Sequence, residues 1–205
     1  MAALPVLLAG CSAWLPALVE QQRVRAFGPL HTLAVAPFSA SSSLSKRAGG
    51  GATEARVAPA VVTRFVRQAL EARGLALISG NDMRIAFEAT GQVLQGQSPA
   101  ALAQLAQAKF GAEAILLGEV RRYRERQGSA YGSTAPASVE FEVTLYSAPG
   151  AEKLWVARFD QTQVSLTEHP FQSARYPSGG TRFLSVAELA RWGATLIAAE
   201  LPVGR

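Results

Sequence analysis

Ala112-Glu113-Ala114-Ile115-Leu116-Leu117-Gly118-Glu119-Val120-Arg121-Arg122-Tyr123 is the stretch on which the reading of the fold turns. Its apolar run from Ile115 to Leu117 has no polar alternate, so a strand here must be covered on both faces. Such a strand belongs in the middle of a sheet with helices packed against either side. From Glu119 onward the segment turns polar, which predicts that the strand emerges into solvent. Arg121, Arg122, Arg124 and Arg126 then make the basic cluster of the chain. A run of this kind commonly protects a strand end with charge. Together with Lys46 and Arg47 it is also the candidate interaction surface, able to grip an anionic head group or an acidic partner.

Downstream, Gly128 to Ala137 is rich in Gly, Ser and Pro and reads as a loop. Val139, Phe141, Val143 and Leu145 alternate with Glu140, Glu142 and Thr144, the pattern of a half-buried strand. Ser147-Ala148-Pro149-Gly150 turns the chain, and Leu154 to Asp160 returns with Trp155, Ala157 and Phe159 on one face, giving an antiparallel hairpin. Glu140 and Glu142 share a face, but paired acids on a strand are ordinarily its wet side rather than a catalytic dyad. Gln161 to Arg182 is irregular. Ser185-Val186-Ala187-Glu188 is a capping box, with Leu184 and Leu189 as its hydrophobic staple, and the helix it opens stops before Pro202.

Upstream, Leu33-Ala34-Val35-Ala36-Pro37-Phe38 is a short buried strand ended by Pro37. Ser39 to Thr53 is packed with Ser and Gly and reads as a flexible loop. Its Gly49-Gly50-Gly51 lacks the spacing and the Lys-Ser/Thr pair of a phosphate-binding loop. A helix is expected from Val57 to Arg73, with Pro59 in its first turn, Gly74 as its stop, and Val57, Val61, Phe65 and Ala69 along one row. Leu75 to Ser79 supplies a second strand. Asn81 or Asp82 caps a brief helix, and Ser98-Pro99 starts another that ends near Gly111. The sum is an α/β (α+β) fold: a single mixed sheet with a central buried strand and a C-terminal antiparallel hairpin, flanked by helices. Residues 31–205 are read as one such domain.

Ahead of it, Ala2 to Ala9 is apolar apart from Pro5 and ends in small residues before the lone cysteine. That is too short to span a membrane, which takes roughly 20 apolar residues. It fits the apolar region and cleavage site of an exported protein. Leu8-Ala9-Gly10-Cys11 resembles the lipobox of bacterial lipoproteins. The resemblance implies that residues 1–10 are a signal peptide, removed so that Cys11 becomes the acylated N-terminus. No Lys or Arg precedes the short apolar run, a departure that a start codon placed too far downstream explains. Residues 11–30 read as the lipidated N-terminus and a tether. Ser12 stands where aspartate signals inner-membrane retention in enteric bacteria, so the resemblance favours the inner leaflet of the outer membrane, facing the periplasm.

The chain has 205 residues, 49% of them hydrophobic and 17% charged, which excludes disorder throughout. A formal net charge of +5 suits anionic lipid heads or an acidic partner, whereas an exported chain does not meet nucleic acid. No Gly-x-Ser-x-Gly elbow and no His-Glu-x-x-His occurs, and the two histidines, His31 and His169, are isolated. The expectation is therefore a protein that is not an enzyme and needs no cofactor and no metal.

The order of elements, with three quoted segments, resembles a group of bacterial envelope proteins: the TolB N-terminal domain, the curli secretion lipoprotein CsgG, and the lipoprotein activators of penicillin-binding proteins. Leu33 to Phe38 is similar to the group's opening Val-Ala-Val-x-Pro-Phe strand. Gly111 to Gly118 is similar to Gly-Ala-Asp-x-Val-Leu-x-Gly, with Glu113 in the acidic position, and Leu145 to Trp155 to the group's hairpin. Segments Phe159–Gln163 and Arg182–Gly193 look like those of uncharacterised lipoproteins of delta-proteobacteria. The resemblance implies a TolB-N/CsgG-like domain binding other envelope proteins, with an oligomeric secretion or transport accessory as the alternative.

Overall fold

The protein, seen in a computed structural model, is described over residues 17–46, 51–94, 96–165 and 169–202. Its sheet is built from β1 (Val19–Arg23), β2 (Thr32–Val35), β3 (Ser39–Ala40), β4 (Ala76–Ile78), β5 (Ala114–Arg124), β8 (Ser138–Ser147) and β9 (Lys153–Thr162) in the order β1-β9-β8-β5-β2-β4, with β3 also pairing β5. A small hairpin, β6 (Gln127–Gly128) with β7 (Ser133–Ala135), lies apart. β2 pairs in parallel with β4 and β5, while β5, β8, β9 and β1 run alternately antiparallel. The sheet is therefore mixed, and β5 sits inside it with Ile115 and Leu116 of its apolar run buried and Leu117 half-buried.

The two faces of β5 meet different cores. Ala114 and Leu116 join Phe141, Val143, Leu145, Trp155, Ala157 and Phe159 under α2 (Gly51–Glu71) and α6 (Val186–Glu200). Ile115 joins Ala34, Met83, Phe87, Leu102 and Ala106 under α3 (Gly80–Glu88) and α4 (Pro99–Phe110). Two helix layers thus cover the central strand, which is why its sequence cannot alternate. The hairpin register sets Phe141 against Phe159, Val143 against Ala157 and Leu145 against Trp155.

The helix boundaries follow local chemistry. Ser185 accepts from the Glu188 N–H while the Glu188 carboxylate accepts from Ser185, and Leu184 and Leu189 are both buried as the expected staple. Ser98 caps α4, Pro99 stands at its first turn, and Gly111 closes it in the left-handed conformation. The C-terminal carbonyls of α6 at Ala198 and Leu201 accept from Arg73, which ties the end of α2 to the end of α6.

Several expectations are corrected. Ser39 to Thr53 is not one flexible loop: it contains β3, α1 (Ser42–Lys46) and the start of α2. Ser41 drives this, its hydroxyl accepting from the Leu44 N–H as an N-cap does. Because α2 begins at Gly51, Pro59 lies in the helix interior rather than its first turn. The cap of α3 is Ser79, boxed with Asp82. The stretch read as tether includes β1, whose Val19 to Arg23 pair with Phe159 to Trp155. A five-residue edge strand of mostly polar residues carries no periodic apolar signal, so only its partner reveals it. Finally, the polar part of β5, expected to emerge into solvent from Glu119, does so only in part: it stays paired with β8 as far as Arg124, half-buried apart from buried Val120 and exposed Arg124.

Candidate interaction surface

The arginine run of β5 is placed by a bulge. Val120 faces Phe141 and Arg122 faces Glu140, so Arg121 is an extra residue in the strand. A bulge breaks the two-residue alternation, and here it sends Arg121 and Arg122 to the same side. Arg121 pairs with Glu119 at 3.0 Å and Glu142 at 3.3 Å. Arg122 pairs with Glu140 at 3.1 Å and with Asp160. Arg158 closes the set, reaching both Glu140 and Asp160 at 2.8 Å. Glu140, with 13% of its side chain exposed, is thus held between two guanidiniums. Glu119, nearest to Arg121, leads in holding that guanidinium in its charged form above the usual arginine range.

This ladder of three arginines and four carboxylates runs across β5, β8 and β9 on the face that α3 and α4 cover only around Ile115, Leu117 and Tyr146. Its charges nearly cancel, so Arg121 and Arg122 are committed within the domain. Arg124, at the end of the strand, is exposed and makes no ion pair among the described residues. Arg126 meets Glu125 at 4.0 Å. Lys46 ends α1, and its side chain lies outside the described residues, as do Arg47 and the lipobox residues Leu8, Ala9, Gly10 and Cys11. The structure therefore places the arginines in two groups: a neutralised ladder, and a strand end where Arg124 is open.

Glu113, in the acidic position of the quoted motif, has a structural task. Its carboxylate accepts from the backbone N–H of His31 at 2.7 Å and of Thr32 at 3.3 Å, fixing the start of β2 to the start of β5. Those bonds, that to His31 first, hold its acid below the usual carboxylate range. The nearby His31 ring nitrogen is 3.4 Å from the same carboxylate. Among the described residues no group of three His, Cys, Asp or Glu is placed to hold a metal, and no helix is long and apolar enough to cross a membrane.

One cleft of about 730 Å³ opens beyond the ends of β2 and β4, between Pro37, Phe38, Gly80, Arg84, Val93 and Leu102. Phe38 packs flat on Gly118, where an added Cβ would lie 2.4 Å from its ring, so the cleft floor depends on that glycine. Arg84 at the rim is engaged by Glu88 and Asn81.

No protein-family model matches the chain, and no curated protein does. Among solved structures it is similar to the PelC dodecamer from Paraburkholderia phytofirmans, at 14% identity and a TM-score of 0.54, over 91% of this chain and 98% of that one. A point variant of the same dodecamer, in a second crystal form, gives 14% identity and 0.54, over 92% and 100%. The LpoB C-terminal domain from Escherichia coli aligns at 16% identity with a TM-score of 0.42, over 65% and 83%. At these identities the PelC likeness is one of fold, and it runs nearly the full length of both chains.

Proposed function

We propose that the chain is a lipid-anchored protein of the bacterial cell envelope, acylated at Cys11, whose domain is a non-catalytic accessory module that docks on other envelope proteins. What carries this reading is the spacing of anchor and fold: Leu8-Ala9-Gly10-Cys11 ends six residues before Ala17, and the first strand begins at Val19. The anchor leads almost directly into the body of the domain. The TolB-N/CsgG-like resemblance supports the same reading, as does the outer edge of β1, whose backbone is available for strand addition. The site favoured is the inner leaflet of the outer membrane, facing the periplasm.

A second reading has the module self-assemble. The observation favouring it is that PelC, whose fold the chain resembles over nearly all its length, is described as a dodecamer.

Labelling cells with a palmitate analogue, wild type against Cys11→Ser, followed by membrane fractionation, tests the anchor. Label and membrane association are expected for the wild type and lost in the variant. Recovery of an unmodified thiol with the preceding ten residues still attached would overturn the proposal. The mass of the detergent-extracted protein separates the two readings: a large ring supports self-assembly, and a monomer that cross-links to specific envelope proteins supports docking.

A further inference from the structure

The end of the sheet at which the chain enters β1 is also the end that carries the two most exposed large hydrophobic side chains among the described residues, Tyr131 at 86% and Phe171 at 82%. The register fixes this. Arg124, Ser138 and Thr162 stand abreast on β5, β8 and β9. Val19 is abreast of Phe159, three residues before Thr162, so the chain comes into β1 from the Thr162 side.

Beyond Thr162 the loops form one cap. Gln163 donates to the Arg182 carbonyl at 2.8 Å, and the Phe183 N–H donates to the Ala130 carbonyl at 2.7 Å, next to Tyr131. Tyr131 lines a cavity of about 210 Å³ with Ser165 and Thr181. The His169 N–H donates to the Ser165 carbonyl at 3.1 Å, which brings α5 (Pro170–Ser173) and its Phe171 into the same cap.

Resting on the anchor reading above, we infer that this cap lies against the membrane that holds the anchor, with Tyr131 and Phe171 entering the lipid interface and Arg124 beside the anionic head groups. Distance decides the orientation. Six residues from Cys11 to Ala17 reach at most about 20 Å when fully extended. A domain of this size is about 40 Å across. Ten-residue β9 alone is about 33 Å long. An acylated Cys11 therefore keeps the cap near the bilayer and leaves the opposite end of the sheet pointing away. Exposed aromatic rings at the same end of the sheet as an open arginine are side chains of the kind that settle at a head-group boundary. Placed at the interface, the two rings bury apolar surface that otherwise stays in water, and their position at the anchored end is accounted for.

The lone cysteine makes the test direct, because acylation consumes its thiol. Tyr131→Cys, Phe171→Cys and Lys109→Cys then each supply a single labelling site, Lys109 being exposed at the end of α4 that leads into the start of β5, at the far end of the sheet. Each variant is purified acylated, labelled with an environment-sensitive fluorophore and reconstituted into vesicles of phosphatidylethanolamine and phosphatidylglycerol containing spin-labelled lipid. Quenching at 131 and 171 is expected to exceed that at 109 by about threefold or more. Equal quenching at all three sites, or none at 131 and 171 while the protein stays vesicle-bound, would overturn the inference and leave the anchor reading intact. Failure of the variants to acquire lipid would instead strike the anchor reading. A fluorophore at 171 already blue-shifted in the Cys11→Ser background without vesicles would show that a second copy covers the cap, and would overturn the inference as well.

Discussion

Gly193 lies inside α6, where alanine is worth about 1 kcal/mol more than glycine by helix propensity alone. The packing predicts the opposite sign for Gly193→Ala. A Cβ at this position would lie 2.5 to 2.7 Å from three atoms of the Phe159 ring, about 1 Å inside ordinary contact. That ring is fully buried and has neighbours on both sides: Phe141 at 5.7 Å and Trp192 edge-on at 5.8 Å. It cannot step back without moving β8 or the Trp192–Tyr176 pair, whose centroids are 5.1 Å apart. Overpacking of a tight core costs about 1–3 kcal/mol, and the boxed ring argues for the upper end. Net of propensity, the substitution should destabilise by about 2 kcal/mol, lowering Tm by about 4–8 °C for a domain of this size. Calorimetry and urea titration would measure it, with Phe159→Leu as the second arm of a cycle. Once the ring is cut back, Gly193→Ala should be nearly neutral. A Tm that rises in the single variant, or costs that simply add in the double, would refute the close approach of α6 to β9.

Three further outcomes are expected. The Arg182 guanidinium, then the Ser185 N–H, hold the Glu188 carboxylate down to about 2 from an ordinary 4.5, so this contact stabilises above pH 4.5 and is lost as pH falls toward 2; with 41% of the side chain exposed, screening leaves about 1 kcal/mol. Urea midpoints against pH should fall more steeply for wild type than for Glu188→Gln in that window, and parallel curves would contradict the pairing. Glu113→Ala removes the acceptor of two backbone N–H groups and should cost about 1–2 kcal/mol, with faster amide exchange at His31 and Thr32, while Glu113→Gln, which keeps one acceptor oxygen, should cost less. Arg122→Met leaves Glu140 with Arg158 alone and should cost about 1–3 kcal/mol; in that background Glu140→Gln should cost less than it does singly, and additive losses would mean that the ladder is not coupled.

Much of this architecture could be read from residue pattern, for a physical reason. Where one face or both faces of an element are buried, the sequence must repeat with that element's period, so β5, the β8–β9 hairpin, α4 and the capped start of α6 announce themselves. The misses are elements whose determinants are not periodic. β1 is held by its partner β9 and by Gln21, which receives a hydrogen bond from the Trp155 indole at 2.9 Å, and neither contact is local. The bulge at Arg121 did leave a trace: Val120 and Tyr123 both pack toward the α2–α6 core although three residues apart, which an unbroken strand cannot do. That phase slip is what makes consecutive arginines neighbours on one face, and a strict alternation count overlooks it.

The placement of charge separates the two surfaces that composition alone merges. A chain with 20 basic and 15 acidic side chains carries an excess of five, and the ladder on β5, β8 and β9 holds three of the former against four of the latter. The excess is therefore carried elsewhere, and the densest arginine segment of the sequence is not, by that fact, the basic surface of the molecule. A partner recognised through Arg121 or Arg122 would have to displace carboxylates already in place at about 3 Å, at a cost in desolvation on both sides. A partner or membrane meeting Arg124 displaces none. Arg124→Glu should accordingly weaken association with anionic vesicles while leaving the urea midpoint nearly unchanged, whereas Arg122→Met should lower the midpoint and leave vesicle association alone. The reverse assignment of effects would place the working surface on the open sheet face instead of at the strand end.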